Sequence, residues 1–287
     1  MRAKDGLSHG GFDSGTDAQA VFNHNRWGLD MRVLVGNVEH NLKVSACLSI
    51  PRLGFQDNFF TVFSAFSPHG IKIVRGTGAF WDQTMSRLFE ELCSDEADND
   101  FLVTCDYDSV FEPDCLTRLM AAMLVSGVDC IAPLQMKRDD KQLMFTPLGL
   151  AGKIEGKHEI SLPPEWWEQP AQLVDTAHFG LTIIRKAALL RTKKPWFHGK
   201  LNEKNEWGDG RTDPDIAFWT QFRESGNTLA ICPQVAIGHA ELVINWPDQR
   251  LKAMYQYPSH YWADGGNRPP EAWGSREHAK KSTGSER

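Results

Sequence analysis

The sequence predicts an α/β fold in one domain, with a mostly parallel central sheet flanked by helices. Three observations carry this. Short apolar, β-prone runs alternate with amphipathic segments in the order β-α-β-α-β as far as Pro133, the order that parallel pairing with right-handed crossovers uses. Turn-forming residues (Pro51, Gly76, Gly78, Gly127, Gly226) punctuate the alternation. No internal repeat or long linker interrupts residues 31–273. The 287 residues, 41% hydrophobic and 24% charged, have the composition of an ordinary globular chain and suffice for one large domain.

Residues 1–30, rich in Gly, Asp, Ser and His without usable periodicity, read as a flexible leader, and residues 274–287 as a disordered tail. Met31–Val38 is expected to form a short strand, and Val44–Ile50 a firmer one closed by Pro51-Arg52. Phe59–Phe66 suits a helix or buried turn, and Ile71–Val74 a further strand. Gly76-Thr77-Gly78 then leads into a helix on which Trp81, Met85, Leu88, Phe89 and Leu92 share one apolar face. The third glycine of a dinucleotide fingerprint would fall where Trp81 stands, which excludes a Rossmann cofactor site.

After the acidic loop Ser94–Asp100 comes the central strand from Phe101. Asp114 caps a helix carrying Leu116, Leu119, Met120, Met123 and Leu124, Gly127 ends it, and Val128–Pro133 is the next strand. Lys137–Gly156 reads as a polar hairpin or loop and Pro163–Trp167 as an aromatic loop. Phe179–Ile184 is a strand running into a short helix, Arg185–Leu190. Lys194–Phe197 opens a Gly-, Asn- and Asp-rich loop through Arg211. Asp215–Ser225 is a helix with Trp219 and Phe222 turned inward, and Leu229–Ile237 is the last clear strand, with Gly238-His239 at its exit.

A net charge of −6 provides no global basic field for nucleic acid or anionic lipid. The six cysteines (Cys47, Cys93, Cys105, Cys115, Cys130, Cys232) lack C-x-x-C spacing and mostly sit in apolar runs, so they read as buried free thiols of a reducing compartment. No apolar run reaches membrane-spanning length and no signal h-region is present, so the expected location is cytoplasmic.

The chemistry-bearing residues lie at strand and helix ends. Asp106 and Asp108 flank Tyr107 where an apolar run ends, the place where open α/β sheets bind ligands. Paired carboxylates suit a hard cation such as Mg²⁺ or Mn²⁺; a solvated acidic turn has the same sequence. His239 leaves its strand similarly and would add a nitrogen ligand favouring Mn²⁺ over Ca²⁺, or stand as a core-edge histidine. Asp213-Pro214-Asp215 opens a helix behind a mobile loop, as helix-capping carboxylates or as a general base. Trp81 and Gln83 offer a stacking and a hydrogen-bonding group for a flat ring, though Trp81 also fits the core. Arg52 is placed to pair with phosphate or to be solvated.

The order of strand–Pro51, Asp106-x-Asp108, Phe179–Lys186, Pro195-Trp196-Phe197, Asp213–Gly226 and Gly238-His239 resembles nucleotide-sugar glycosyltransferases of the GT-A fold, most nearly the family 2 type. Trp81-Asp82-Gln83, Asp106–Phe111, Ile237–Glu241 and Trp246-Pro247-Asp248 resemble a small branch from phages and bacteria. The similarity runs from Val44 to Trp273.

That resemblance implies a GT-A type sheet with a smaller acceptor-side subregion. The implied enzyme is a hexosyltransferase moving a sugar from a UDP- or GDP-linked donor to a hydroxyl of a glycan, a protein or a modified nucleic-acid base. Asp106, Asp108 and His239 would hold Mn²⁺ or Mg²⁺. Pro51, Arg52, Trp81, Gln83, Asp106, Tyr107 and Asp108 would line the donor site. Asp215 falls where inverting members carry their base; Pro214 replaces the usual Glu and Asp213 lies one step earlier, so both carboxylates are candidates. Gly199–Arg211 would be a donor-closing lid. Two other classes use similar features: a metal-dependent nucleotidyltransferase or phosphohydrolase, whose Gly-rich signature Pro51–Gly54 matches poorly, and a sugar-binding module built on Trp166, Trp167, Trp246, Tyr261 and Trp262.

Overall fold

The computed structural model describes residues 30–50, 54–137, 142–149, 164–248 and 250–273. The leader before Asp30, the tail from residue 274, Pro51 and Arg52 lie outside the described residues, as does much of Lys137–Gly156. The elements in order are β1 (Asp30–Val35), β2 (Val38–Ile50), α1 (Gln56–Phe66), β3 (Lys72–Thr77), α2 (Trp81–Leu92), β4 (Phe101–Asp106), β5 (Ser109–Val110), α3 (Cys115–Ser126), β6 (Cys130–Leu134) and β7 (Thr146–Pro147). They continue with β8 (Gln172–Thr176), β9 (Leu181–Arg185), α4 (Lys186–Arg191), α5 (Pro214–Glu224), β10 (Leu229–Ala236), β11 (Gly238–His239), β12 (Ile244–Pro247), β13 (Ala253–Gln256) and α6 (Pro258–Ala263).

Among the described residues, a nine-stranded sheet runs β1-β2-β4-β9-β6-β10-β8-β7, with β3 also paired to β2. Strands β2, β3, β4, β6, β7 and β10 point one way; β1, β8 and β9 oppose them. The sheet is therefore mixed, with most strands aligned and helices packed on it. The expected parallel run is interrupted at its centre, where antiparallel β9 slots between β4 and β6. The β1–β2 hairpin also departs from expectation. Gly36 takes φ +58°, a backbone that favours glycine, so β1 stops at Val35 and β2 begins at Val38, six residues before the expected strand.

Strand β4 is buried on both faces, as a central strand must be. Phe101, Val103 and Cys105 face a core shared with α1, α3 and β2, while Leu102 faces a second core made with α2, α4 and α5. Aromatic rings fill that second core. Phe179, just before β9, stacks on Trp219 at 4.6 Å between centroids and meets Phe218 and Phe197 at 5.4 Å each. Trp81 at the start of α2 reaches the same cluster, 5.4 Å from Phe179 and 5.3 Å from Phe197. The periodicity read on α2 holds: Met85, Leu88, Phe89 and Leu92 are buried, with Trp81 half-buried at the helix start. After β11 a short hairpin, β12–β13, and α6 form a small aromatic appendage in which Trp246 donates from Nε1 to Gln256. No helix among the described residues is long and apolar enough to cross a membrane.

Phe179 joins α2, α5 and the 196–197 segment, so its truncation leaves a cavity that three elements would have to close together. Phe179→Ala is expected to lower unfolding stability by about 3–5 kcal/mol, read from urea denaturation midpoints. A loss below about 1 kcal/mol would mean that the cluster repacks freely.

Candidate functional site

The site begins where β4 ends. Parallel pairing of β2 with β4 sets Ser49 beside Asp106, and the Ser49 hydroxyl donates to Asp106 Oδ1 at 2.8 Å. Trp81 Nε1–H approaches the same oxygen at 3.4 Å. Burial pushes the Asp106 carboxyl above its ordinary range, the Ser49 hydrogen bond opposes this, and the charge of Asp108 adds to it.

The chain then reverses through Tyr107 and Asp108 into β5. Asn58 of α1 clamps this turn: its side-chain amide donates to the Asp106 carbonyl at 2.8 Å and to the Ser109 carbonyl at 2.6 Å. Tyr107 is half-buried with its ring 6.2 Å from that of Phe55. Asp108 is buried, with Oδ2 3.3 Å from Nε2 of His239.

His239 arrives on β11, which pairs antiparallel with β5 so that His239 lies opposite Ser109. Its Nδ1 sits 3.0 Å from the carbonyl of Met136. A carbonyl only accepts, so Nδ1 carries the hydrogen and Nε2 is directed at Asp108. An imidazole with its far N–H on a carbonyl and its near nitrogen beside a carboxylate has the donor arrangement of a metal-ligating histidine.

The floor is polar and buried. Gln135 donates to Ser109 Oγ at 3.3 Å and to the Gly238 carbonyl at 3.4 Å. Gly180 approaches so closely that an added Cβ would stand 2.5 Å from Gln135 Oε1 and 2.7 Å from Ser109 Oγ. The backbone N–H of Gly180 donates to Nδ1 of His178, whose Nε2–H donates to the Pro133 carbonyl at 2.8 Å. Burial lowers the His178 pKa to about 4 against the Pro133 bond, with His239 adding to the lowering.

Asp106 does not close a three-ligand cluster with Asp108 and His239. Among the described residues, the one group of three such side chains whose ligand atoms all lie within 4.8 Å is Glu112, Asp114 and Cys115, and both of its carboxylates are exposed. Asp108 and His239 face each other, while Asp106 is held toward β2 and α2 by Ser49 and Trp81. Gln83 is exposed, about 200° around α2 from Trp81.

Asp213 and Asp215 lie elsewhere, at the start of α5. Asp213 is exposed and paired with Arg211, Nε to Oδ1 at 2.8 Å. Asp215 is half-buried, accepts from the Ile216 N–H at 2.9 Å, and is pushed up chiefly by burial, with Asp213 adding to the shift. No hydrogen bond or ion pair among the described residues joins it to Asp106. The two ends are linked through rings instead: Phe218, one turn after Asp215, stacks on Phe197 at 4.7 Å, and Phe197 meets Trp81. Beside α5, a cleft of about 550 Å³ is lined by Lys193, His198, Lys200, Thr212, Gln221 and Glu224, among others. Of the aromatic residues read as sugar platforms, Trp166 stacks on Phe145 while Trp262 is exposed.

Ser49, Asn58, Gln135 and His178 escaped the sequence reading. Ser49 had a signal, its place at the end of a strand beside the Asp106 strand; the other three had none before the tertiary contacts were known.

No family model matches the chain, and no curated protein does. Many solved structures are similar to it, including the following two. One is the crystal structure of A197 from STIV, at 15% identity and a TM-score of 0.48, over 74% of this chain and 94% of that one. The other is the crystal structure of GalNAc-T7 with UDP, GalNAc and Mn²⁺, at 12% identity and a TM-score of 0.43, over 69% of this chain and 44% of that one.

Two expectations follow from the site's scaffold. Asn58→Ala orphans two carbonyls and is expected to cost about 1–3 kcal/mol for each, measured by chemical denaturation. A neutral Asn58→Ala would remove the clamp from the account. For His178, the folded value of about 4 lies below the 6.5 of an unperturbed histidine, so the neutral form is the one folding favours. Stability is then complete above pH 6.5 and falls as the pH drops toward 4, by about 3 kcal/mol in the limit. His178→Gln should flatten that part of the stability–pH curve; parallel curves for the two proteins would refute the assignment.

Proposed function

We propose that the protein is a metal-dependent glycosyltransferase that moves a sugar from a nucleoside-diphosphate sugar to an acceptor hydroxyl. The observation that carries this reading is the strand-end arrangement of Asp106, Asp108 and His239, built at the carboxyl end of β4 by the Asn58 clamp and the β5–β11 ladder. A buried carboxylate oxygen beside an imidazole nitrogen is a hard-plus-borderline donor set that fits Mn²⁺, and Mg²⁺ less well. Asp108 and His239 would hold the ion, which when bound offsets charge on the departing diphosphate. Asp106 would lie on the nucleoside side, next to Trp81 and Tyr107, with the donor UDP- or GDP-linked. The similarity of the motifs to the family 2 type and its phage and bacterial branch belongs to this reading. So does a cytoplasmic location, which six free, buried cysteines favour.

Asp215 is the better base of the two candidates. Its raised pKa makes it a stronger proton acceptor once ionised, whereas Asp213 is held in an ion pair by Arg211. It would take the proton of the acceptor hydroxyl as that oxygen attacks the sugar carbon from the face opposite the diphosphate, which inverts the centre through an oxocarbenium-like state. The Gly199–Arg211 loop, pinned by the bridge from Lys200 to Thr212, would close over the donor. The acceptor would be a glycan, a protein or a modified nucleic-acid base.

Incubation with a nucleotide-sugar panel, acceptors and Mn²⁺ tests the reading through release of nucleoside diphosphate. Asp108→Ala should abolish cation-dependent binding of nucleoside diphosphate in a folded protein; unchanged calorimetric binding would sink the metal assignment. Asp215→Asn should keep donor binding and lose turnover by roughly two to four orders of magnitude. Asp213→Asn should stay near wild type. In the wild type, the rate should rise with pH through the raised Asp215 pKa, because only the ionised carboxylate accepts the proton. A reversed pair of mutant effects would move the base to Asp213.

A further inference from the structure

The cleft beside α5 has no part in the strand-end site. Thr220, Gln221 and Glu224 line it from one side of the helix. At about 100° per residue, that side is centred about 190° around α5 from Asp215. Phe218, Trp219 and Phe222, which pack into the aromatic core, lie on the Asp215 side instead. The rest of the polar lining comes from Lys193, His198, Lys200 and Thr212.

The charges of this cleft are left open. Four cations that border it in sequence have carboxylate partners: Arg191 pairs with Asp129, Lys194 with Glu90, Arg211 with Asp213 and Arg223 with Asp175. Lys193 and Lys200 have no ion pair among the described residues, and Glu224 pairs with neither of them. Two ammonium groups thus line one cavity of about 550 Å³ without internal neutralisation. His198 lies between them in sequence, and its Nδ1 is sealed from solvent with no partner among the described residues. A sealed nitrogen with no acceptor beside it is a poor place for a hydrogen. The neutral ring therefore keeps its proton on Nε2 and remains a donor.

The backbone that carries His198 and Lys200 is fixed. Lys200 and Thr212 exchange N–H to carbonyl bonds of 2.9 Å each way at the foot of the Gly199–Arg211 loop. Trp207 of that loop folds back on Gly199, where an added Cβ would stand 2.9 Å from the indole.

We infer that this cleft is a second binding site, for the phosphoryl group of a small phosphorylated molecule, held by Lys193 and Lys200 with His198 as a further donor. Two ammonium groups match the near-dianionic charge of a phosphate monoester, whereas a carboxylate offers a single charge. Glu224 is left to accept from a hydroxyl of the same molecule. The inference stands apart from the transferase reading and does not rest on it.

Inorganic phosphate is the first probe, titrated into the full chain and followed through backbone amide resonances by two-dimensional NMR. EDTA is present throughout, so phosphate held through a cation at Asp108 and His239 is not counted. The expected result is a set of saturable shifts centred on residues 198–200, 212 and 220–225. Glucose 6-phosphate should give the same shifts at equal or lower concentration, and acetate should bind more weakly than either. The double variant Lys193→Ala, Lys200→Ala should weaken phosphate at least about tenfold. Arginine at both positions should restore binding, and Lys72→Ala, at an exposed lysine of β3, should match wild type. Shifts that are absent or centred elsewhere, acetate binding as tight as phosphate, or undiminished binding in the double alanine variant overturns the site. An equal loss in Lys72→Ala overturns it as well, by showing general charge attraction. Exclusion of glucose 6-phosphate overturns the monoester assignment.

Discussion

The directions of the strand-end carboxylates Asp106 and Asp108 depend on one side-chain amide. Strand β4 is buried on both faces and must end by reversing within two residues, which leaves the Asp106 and Ser109 carbonyls without ladder partners on one side. Asn58 supplies both donors from α1. A side-chain NH₂ has two hydrogens, and both are used, so the turn can neither open nor twist without breaking a buried bond. The fixed turn sends Asp106 toward Ser49 and Trp81 and Asp108 toward His239. It also sets the edge of β5 on which β11 pairs, so the histidine is delivered by the same constraint.

The second dependence is aromatic. Trp81 presents its N–H edge to Asp106 and its ring to Phe179 and Phe197, so one residue belongs to both the core and the site. Through Phe197 and Phe218 the same cluster reaches the first turn of α5, where Asp215 sits. Rings packed edge-to-face and offset at centroid distances near 5 Å have little freedom to slide. Asp215 and the strand-end carboxylates are thereby held at a set separation by apolar contacts, although no polar bond joins Asp215 to Asp106.

These two dependences explain what could be read from the sequence. Strands, helices and the heptad-like face of α2 show in local periodicity, and Asp106, Asp108, His239 and Asp215 announce themselves by standing at element ends. The direction of β9 does not show, because an apolar run such as Leu181–Arg185 reads the same whichever way it is threaded between neighbours. Asn58 reads as an ordinary polar residue of a helix start until α1 is packed against the turn. The splitting of Asp106 from the Asp108–His239 pair is also invisible in Asp-x-Asp spacing. It follows from the reversal at Tyr107 and from Ser49, whose relevance depends on the β2–β4 register. Gln83 and Trp81 are neighbours in sequence, but helical rotation sets them on different sides of α2, which local spacing alone does not display.

The electrostatics of the assembled site give these placements a common logic. Asp106 and Asp215 are both pushed up by burial, and Asp106 is pushed further by the charge of Asp108. A carboxylate set of this kind repels a diphosphate, and the chain's net charge of −6 offers no compensating field. Under the proposed function, a doubly charged cation held by Asp108 and His239 would reverse the local sign, so the donor would arrive with the cation or after it. On that reading, ligands that bind the folded chain would raise its stability through linkage.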